Sequence, residues 1–363
     1  MLASWQWKPN PDYTRLLKAL WREGDPNHVP FLELLADPEL IAAVMGEPVI
    51  SGTNLAADRE PLRKTLDQRI RFCYQLGYDA FLPEWVLPWP GMLPLESNDT
   101  ALLSRGRRRW IAGQTGAITN WEDFERYPWP KAADVDLYSL EYVARHLPEG
   151  MAIIAGIDGA LEPMMWLMGF ETFAFAIYDQ PDLVQAMVGR IASILTPLAQ
   201  AMVQMDRVVA LWMADDRGFK TGPLVAPKHL RRLIFPVDRQ VADIAHGQGM
   251  PFLLHSCGKL DTVMDDLIDG AGIDAKHSFE DVIEPVESFA ARFGHRVAIL
   301  GGVDVDLLAR GTEEQVRART RGILESCAPS RGYVLGSGNS ITNYVSPRNY
   351  LAMLDEGWRY NSR

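Results

Sequence analysis

Two hydrophobic patterns alternate along the chain. Short continuous apolar runs bounded by Gly, Pro or acidic residues read as buried strands, and longer stretches with apolar positions three and four apart read as amphipathic helices. Runs of the first kind fall at about 28–34, 79–85, 151–157, 208–214, 251–255, 272–277, 297–303 and 333–337. Between them lie helical stretches. DPELIAAVMG has Asp37 as N-cap, Pro38 at the first position and Gly46 as stop. Others run over roughly 57–76, 227–248 and 284–293, and one opens at Thr312 and one after Ser346. Eight strands alternating with helices predict an α/β fold, a (β/α)8 TIM barrel, with a doubly wound open sheet as the alternative.

Two stretches sit outside that rhythm. Residues 1–27 hold the amphipathic YTRLLKALWREG, expected as a helical extension over the bottom or side of a single barrel domain spanning 1–363. Residues 86–150, rich in Pro and Trp, are expected to be an insertion between strands 2 and 3 that lies over one face. Within it, SRGRRRWIAGQTGAITNW reads as a two-stranded hairpin turning at Gly113 to Gly116. Trp89, Trp110, Trp121 and Trp129 either pack the insertion onto the barrel or form an aromatic wall for substrate.

Composition narrows the function classes. The formal net charge of −11 argues against a nucleic-acid or anionic-membrane surface as the main partner. Arg105, Arg107, Arg108 and Arg109 form one dense basic stretch, read as a solvated hairpin face in preference to an anion site. Cys73, Cys257 and Cys327 are too scattered for a disulfide framework and fit a reducing compartment. With no apolar stretch long enough to span a bilayer and no leader pattern in MLASWQWKPNPDY, a soluble cytoplasmic protein is expected.

In a barrel the strand ends share one mouth, where active sites form. Polar or metal-capable residues end nearly every strand: Glu33, Glu84, Asp158, the pair Asp215 and Asp216, His255 and Cys257, His277, Asp304, and Ser337 with Asn339. In PFLLHSCGK, His255 and Cys257 are two apart, so in an extended segment both side chains point the same way and can reach one metal ion. His277 leaves the adjacent strand and is the expected third ligand of a zinc site with an open position. Asp215 and Asp216 face opposite ways, one for acid/base or positioning work with Glu84 and His277, the other for capping a turn. Glu33, Asp304, Ser337 and Asn339 are the candidate substrate contacts. No Walker A loop, no G-x-G-x-x-G after a strand and no G-x-S-x-G elbow is present.

The segments VPFLELLADPELIAAVMG, GFKTGPLVAP, FLLHSCGKLDTVMDDLIDGAGIDAKHSFED, ILGGVDVDLLARGTEEQVRARTRGIL and GYVLGSGNSI together resemble the uroporphyrinogen decarboxylase superfamily along nearly the whole chain. The resemblance implies the (β/α)8 fold. Within that superfamily the chain is more similar to the cobalamin-dependent methyltransferases. True decarboxylases carry an arginine-bearing segment after the first strand, where this chain has Phe31 to Asp37 with Glu33; the methyltransferases carry His-x-Cys after the fifth, matched by His255 and Cys257. Their further Cys in a Gly-Cys-Gly turn after the eighth strand is replaced by Ser337 between Gly336 and Gly338. The resemblance implies zinc-assisted methyl transfer between a small methyl donor or acceptor (an ether, alcohol or thiol) and a corrinoid. Asp243 and His246 lack the spacing of a corrinoid-binding segment, so the corrinoid is expected on a separate partner protein. A homodimer is also implied. Decarboxylation and a non-catalytic binding barrel are the rival readings.

Overall fold

The computed structural model describes every residue except 1–4, 53–57, 84–86, 88, 92–93 and 112–115, with the backbone alone at 94 and 109–111. Seven parallel strands form one sheet whose neighbours follow chain order: β1 (Ala80–Phe81), β2 (Ala152–Asp158), β3 (Val208–Ala214), β4 (Phe252–His255), β5 (Ala275–His277), β6 (Ala298–Leu300) and β7 (Tyr333–Val334). The expected first strand is narrower than its apolar run. Phe31 makes a parallel bridge to Leu335, Leu32 N–H donates to the Leu335 carbonyl, and Leu335 N–H donates to the Pro30 carbonyl. Pro30, with no N–H, cannot extend that ladder. The chain's first strand-like segment thus lies beside its last strand, which curls the sheet as a (β/α)8 barrel requires. An open doubly wound sheet reverses its strand order instead.

Alternation of side chains divides the apolar residues into two layers. Leu32, Leu34, Ala80, Ile154, Ala210, Trp212, Leu253, Ala275, Ala298, Leu300 and Val334 share one cluster inside the barrel. Their neighbours Phe31, Ile153, Leu211, Phe252, Leu254 and Ile299 belong to the larger layer packed against the helices. The amino-terminal helix Tyr13–Leu20, capped by Asp12, inserts Leu16, Ala19 and Leu20 into the inner cluster. The helix and the turn after it bond to residues that precede strands: Tyr13 N–H to the Gly150 carbonyl, Arg15 to Asp79, and Gly24 N–H to the Arg331 carbonyl. The helix therefore plugs the bottom.

The hairpin in the insertion turns elsewhere than expected. Pro94–Asn98 pairs antiparallel with Arg107–Ile111, which puts the turn at 99–106. Asp99 fixes that turn by accepting the Ala101 and Arg105 N–H groups, and Gly106 supplies the positive φ of 83°. Gly113 lies outside the described residues, and Gly116 lies beyond the ladder. The hairpin is tied to the top of the barrel: Leu103 N–H donates to the Asn343 carbonyl, and Asn343 Nδ2 donates to Asp99 at 2.6 Å.

Candidate active site

The parity that sorts the core also sorts the strand-end polar residues. Leu253 and Ala275 face inward, so His255 and His277 do too, and the β4–β5 register places them opposite one another. Their Nδ1 atoms lie 2.8 Å apart. Trp212 faces inward, so Asp216 continues that row and Asp215 points to the helix layer.

Asp216, His255 and Cys257 converge. Their ligand atoms all lie within 4.8 Å of one another. His255 Nε2 is 3.6 Å from Cys257 Sγ and 3.5 Å from Asp216 Oδ1, and Cys257 N–H donates to that same Oδ1 at 2.8 Å. Ligands of a tetrahedral zinc with bonds of roughly 2.0–2.3 Å stand about 3.3–3.7 Å apart, and both separations from His255 fall in that range. The donor set, one oxygen, one nitrogen and one sulfur, suits zinc and leaves a fourth position open. His277, expected as the third ligand, bonds instead to the rear nitrogen of His255. That is the placement of a partner which fixes a ligand's tautomer: with Nε2 free to ligate, His255 Nδ1–H donates to His277.

Burial dominates the electrostatics. It holds His255 down to about 4, against the raising effect of Asp216, and holds His277 well below the usual histidine range, so both rings are neutral. Burial and the Asp216 charge push the Cys257 thiol up to about 12. Two donors oppose that rise: Asn339 Nδ2 at 3.3 Å and Ser278 Oγ at 3.4 Å from Sγ. Ser278 has φ 84°, an uncommon value for a residue with a Cβ, and the backbone there is held by Lys276, whose buried Nζ donates to the His277 and Ser278 carbonyls. Burial lowers that amine to about 8, against the raising effect of Cys257 and of the acids around it.

The other expected site residues are engaged elsewhere. Asp215 accepts from the Leu161 and Glu162 N–H groups at the start of helix Leu161–Met168, and it pairs with Arg217. Arg217, fully buried, bridges Asp215 to Asp238 at 2.6 Å, and its own N–H donates to Ser256 Oγ. Asp304 caps the next helix through Asp306 and Leu307 N–H and accepts from Asp281 N–H. Glu33 faces out of the barrel and meets Ser337: Oε1 accepts the Ser337 N–H at 2.8 Å, and Oε2 lies 2.6 Å from Ser337 Oγ. Ser337 therefore points away from the three converging donors, and the segment reaches Cys257 through Asn339. Glu84 lies outside the described residues. Trp89, buried, donates from Nε1 to Asp158 at 3.0 Å, and Trp129 packs on Phe124 and Tyr127, so of the insertion's aromatics one touches a mouth residue and one anchors the fold.

Sequence reasoning missed Glu162, Arg217, Lys276 and Ser278. Glu162 begins the helix that Asp215 caps, and burial together with Asp215 and Asp216 pushes its carboxyl to about 8. GFKTGPLVAP, one of the segments of the resemblance, is preceded by Arg217, which could have been flagged as the cation beside two acids; for Ser278 no local signal exists.

Residues 115–360 match the family model described as Uroporphyrinogen decarboxylase (URO-D), and the chain belongs to that family. It is 24% identical over 203 residues to the uroporphyrinogen decarboxylase of Cupriavidus necator, covering 53% of each chain. With that of Paraburkholderia phytofirmans it is 23% identical over 195 residues, covering 53% of this chain and 51% of the other. The chain thus spans about half the length of the curated relatives it matches. Its structure is similar to that of a methyltransferase from Methanosarcina mazei, with a TM-score of 0.67 over 96% of this chain and 98% of that one at 18% identity, a likeness of fold. Among the described residues no helix is long and apolar enough to cross a membrane.

Proposed function

We infer that the protein is a methyltransferase-type enzyme of this family, moving a methyl group between a small substrate and a corrinoid carried by a separate partner protein. The observation that carries this reading is the convergence of Asp216, His255 and Cys257, an oxygen, nitrogen and sulfur donor set suited to zinc. When bound there, zinc supplies Lewis acidity: it polarises an ether or alcohol oxygen so that the methyl group can leave, or it favours the thiolate of a thiol acceptor. A site with one thiolate and one carboxylate leaves more positive charge on zinc than a site with two thiolates, which favours the ether or alcohol substrate.

The chain's own residues do the rest. His277 orients His255 from behind, the Cys257 N–H fixes Asp216, and Asn339 and Ser278 hold the Cys257 sulfur. Trp89 donates from Nε1 to Asp158 at the mouth and so fixes that carboxylate.

Metal analysis of the purified protein tests the reading directly. One zinc per chain, lost in Cys257→Ala, together with zinc-dependent conversion of cob(I)alamin to methylcobalamin in the presence of a methyl ether or methanol, is the expected result. Full-length, folded protein that binds no zinc would remove the metal mechanism. The names of the curated relatives favour decarboxylation as the second reading, and formation of coproporphyrinogen from uroporphyrinogen tests it.

A further inference from the structure

Beside the candidate metal site, a cleft of about 730 Å³ opens between the insertion hairpin, the start of the helix after β6 and the loop after β7. Asn339 lines it and also touches Cys257 Sγ, so the cleft and the three converging donors share a wall. Arg108 enters it from the hairpin, its guanidinium over the Tyr344 ring at 5.8 Å.

The charges around this cleft are mostly neutralised already. Arg105 pairs with Asp37 and Glu39, Arg107 with Glu96, and Arg310, which also lines the cleft, with Asp306. Asp304 gives its carboxylate to three backbone N–H groups. Glu280 borders the cleft too, but it shares a neighbouring recess with the buried Lys276. Arg108 differs from Arg105 and Arg107: among the described residues no carboxylate meets it. A planar guanidinium beside an aromatic ring, met by no carboxylate among the described residues, is suited to grip a carboxylate through two parallel hydrogen bonds. The Thr342 hydroxyl, also in the lining, is buried without a hydrogen-bond partner among the described residues, and it can supplement that grip.

We propose that this cleft selects a small substrate bearing a carboxylate, gripped by Arg108 on Tyr344, with its methyl-bearing end directed past Asn339 toward Cys257. The proposal rests on the methyl-transfer reading for the identity of the reacting end, and on the cleft alone for the charged end. It revises, for Arg108, the expectation that the arginine stretch is only a solvated face.

Equilibrium binding to the purified protein tests it, with two matched pairs of probes: 4-methoxybenzoate against methoxybenzene, and methoxyacetate against 2-methoxyethanol. At least one acid is expected to bind ten times or more tightly than its neutral counterpart, with affinity falling as salt rises. Arg108→Gln is expected to abolish that preference and Arg108→Lys to retain part of it. Arg107→Gln, on the same strand but paired to Glu96, serves as the folding control and is expected to change nothing. Equal binding of acid and neutral probe, absence of binding by both acids, or a preference that survives Arg108→Gln would each overturn the proposal. Repeating the titration in Cys257→Ala separates the two readings: the acid preference persists there even if the protein proves to have no metal chemistry.

Discussion

The Ser337 hydroxyl lies 2.6 Å from Glu33 Oε2 and 2.9 Å from the Asn339 carbonyl. A hydroxyl has one proton, and a carbonyl can only accept, so both contacts are satisfied together when Ser337 donates to Asn339 and Glu33 donates to Ser337. Burial pushes the Glu33 carboxyl to about 8, which keeps it protonated at neutral pH in agreement with that arrangement. The folded-state pKa stands above the unfolded value near 4.5, so this group's stabilising contribution is complete below about 4.5 and is lost as pH rises through 8. Glu33→Gln mimics the neutral acid and does not titrate. The variant is expected to match the parent in urea midpoint at pH 5 and to exceed it at pH 8.5. A difference that does not change with pH would count against a protonated Glu33.

The contact between His255 and His277 yields a second expectation. Replacing His277 with Ala removes the acceptor for His255 Nδ1–H while leaving all three converging donors in place. Zinc affinity is expected to fall about 10- to 100-fold, the usual range for loss of a group that orients a ligand. Competition with a chromogenic chelator measures it. An unchanged affinity would show that the β4 backbone alone orients His255.

Arg217 offers a test of the support beneath the site. It is fully buried between Asp215 and Asp238, with Nη1 at 2.6 Å from one Asp238 oxygen and Nη2 at 2.9 Å from the other. Arg217→Met leaves two buried carboxylates without their cation, and breaking a buried pair in this way costs about 3–5 kcal/mol. Equilibrium urea unfolding is expected to show a loss of that order. Because Asp215 also caps helix Leu161–Met168, the variant should lose zinc affinity as well.

These tests separate what the sequence made legible from what it left hidden. Period-two alternation was enough to put His255 and Cys257 on one side of their segment and to set Asp215 and Asp216 on opposite faces. It did not reveal that Asp215 caps a helix more than fifty residues earlier, because that contact exists only once β2 and β3 lie side by side. His277 looked like a ligand because adjacent strands bring it near His255; the register, which no local pattern encodes, put it directly opposite and turned it into a backing group. The hairpin turn was misplaced because Gly113 and Gly116 gave a stronger local signal than Asp99, whose cap depends on backbone N–H groups several residues on.

Proton release on metal binding gives the most direct check of the Cys257 environment. With the thiol pushed up to about 12, Cys257 is neutral at pH 7–9, and it must lose its proton to become a metal ligand. His255, held down to about 4, is already neutral and contributes no proton. Cys257 is therefore expected to release about one proton per zinc bound, so that apparent affinity rises about tenfold per pH unit across that range. Calorimetry in two buffers of different ionisation enthalpy counts the protons. Cys257→Ala should release none, and Asn339→Ala, which removes a donor to the sulfur, should still release one while binding zinc more weakly. A parent protein that binds zinc with no proton release would mean that the thiolate is already formed, and that Asn339 and Ser278 outweigh burial at this sulfur.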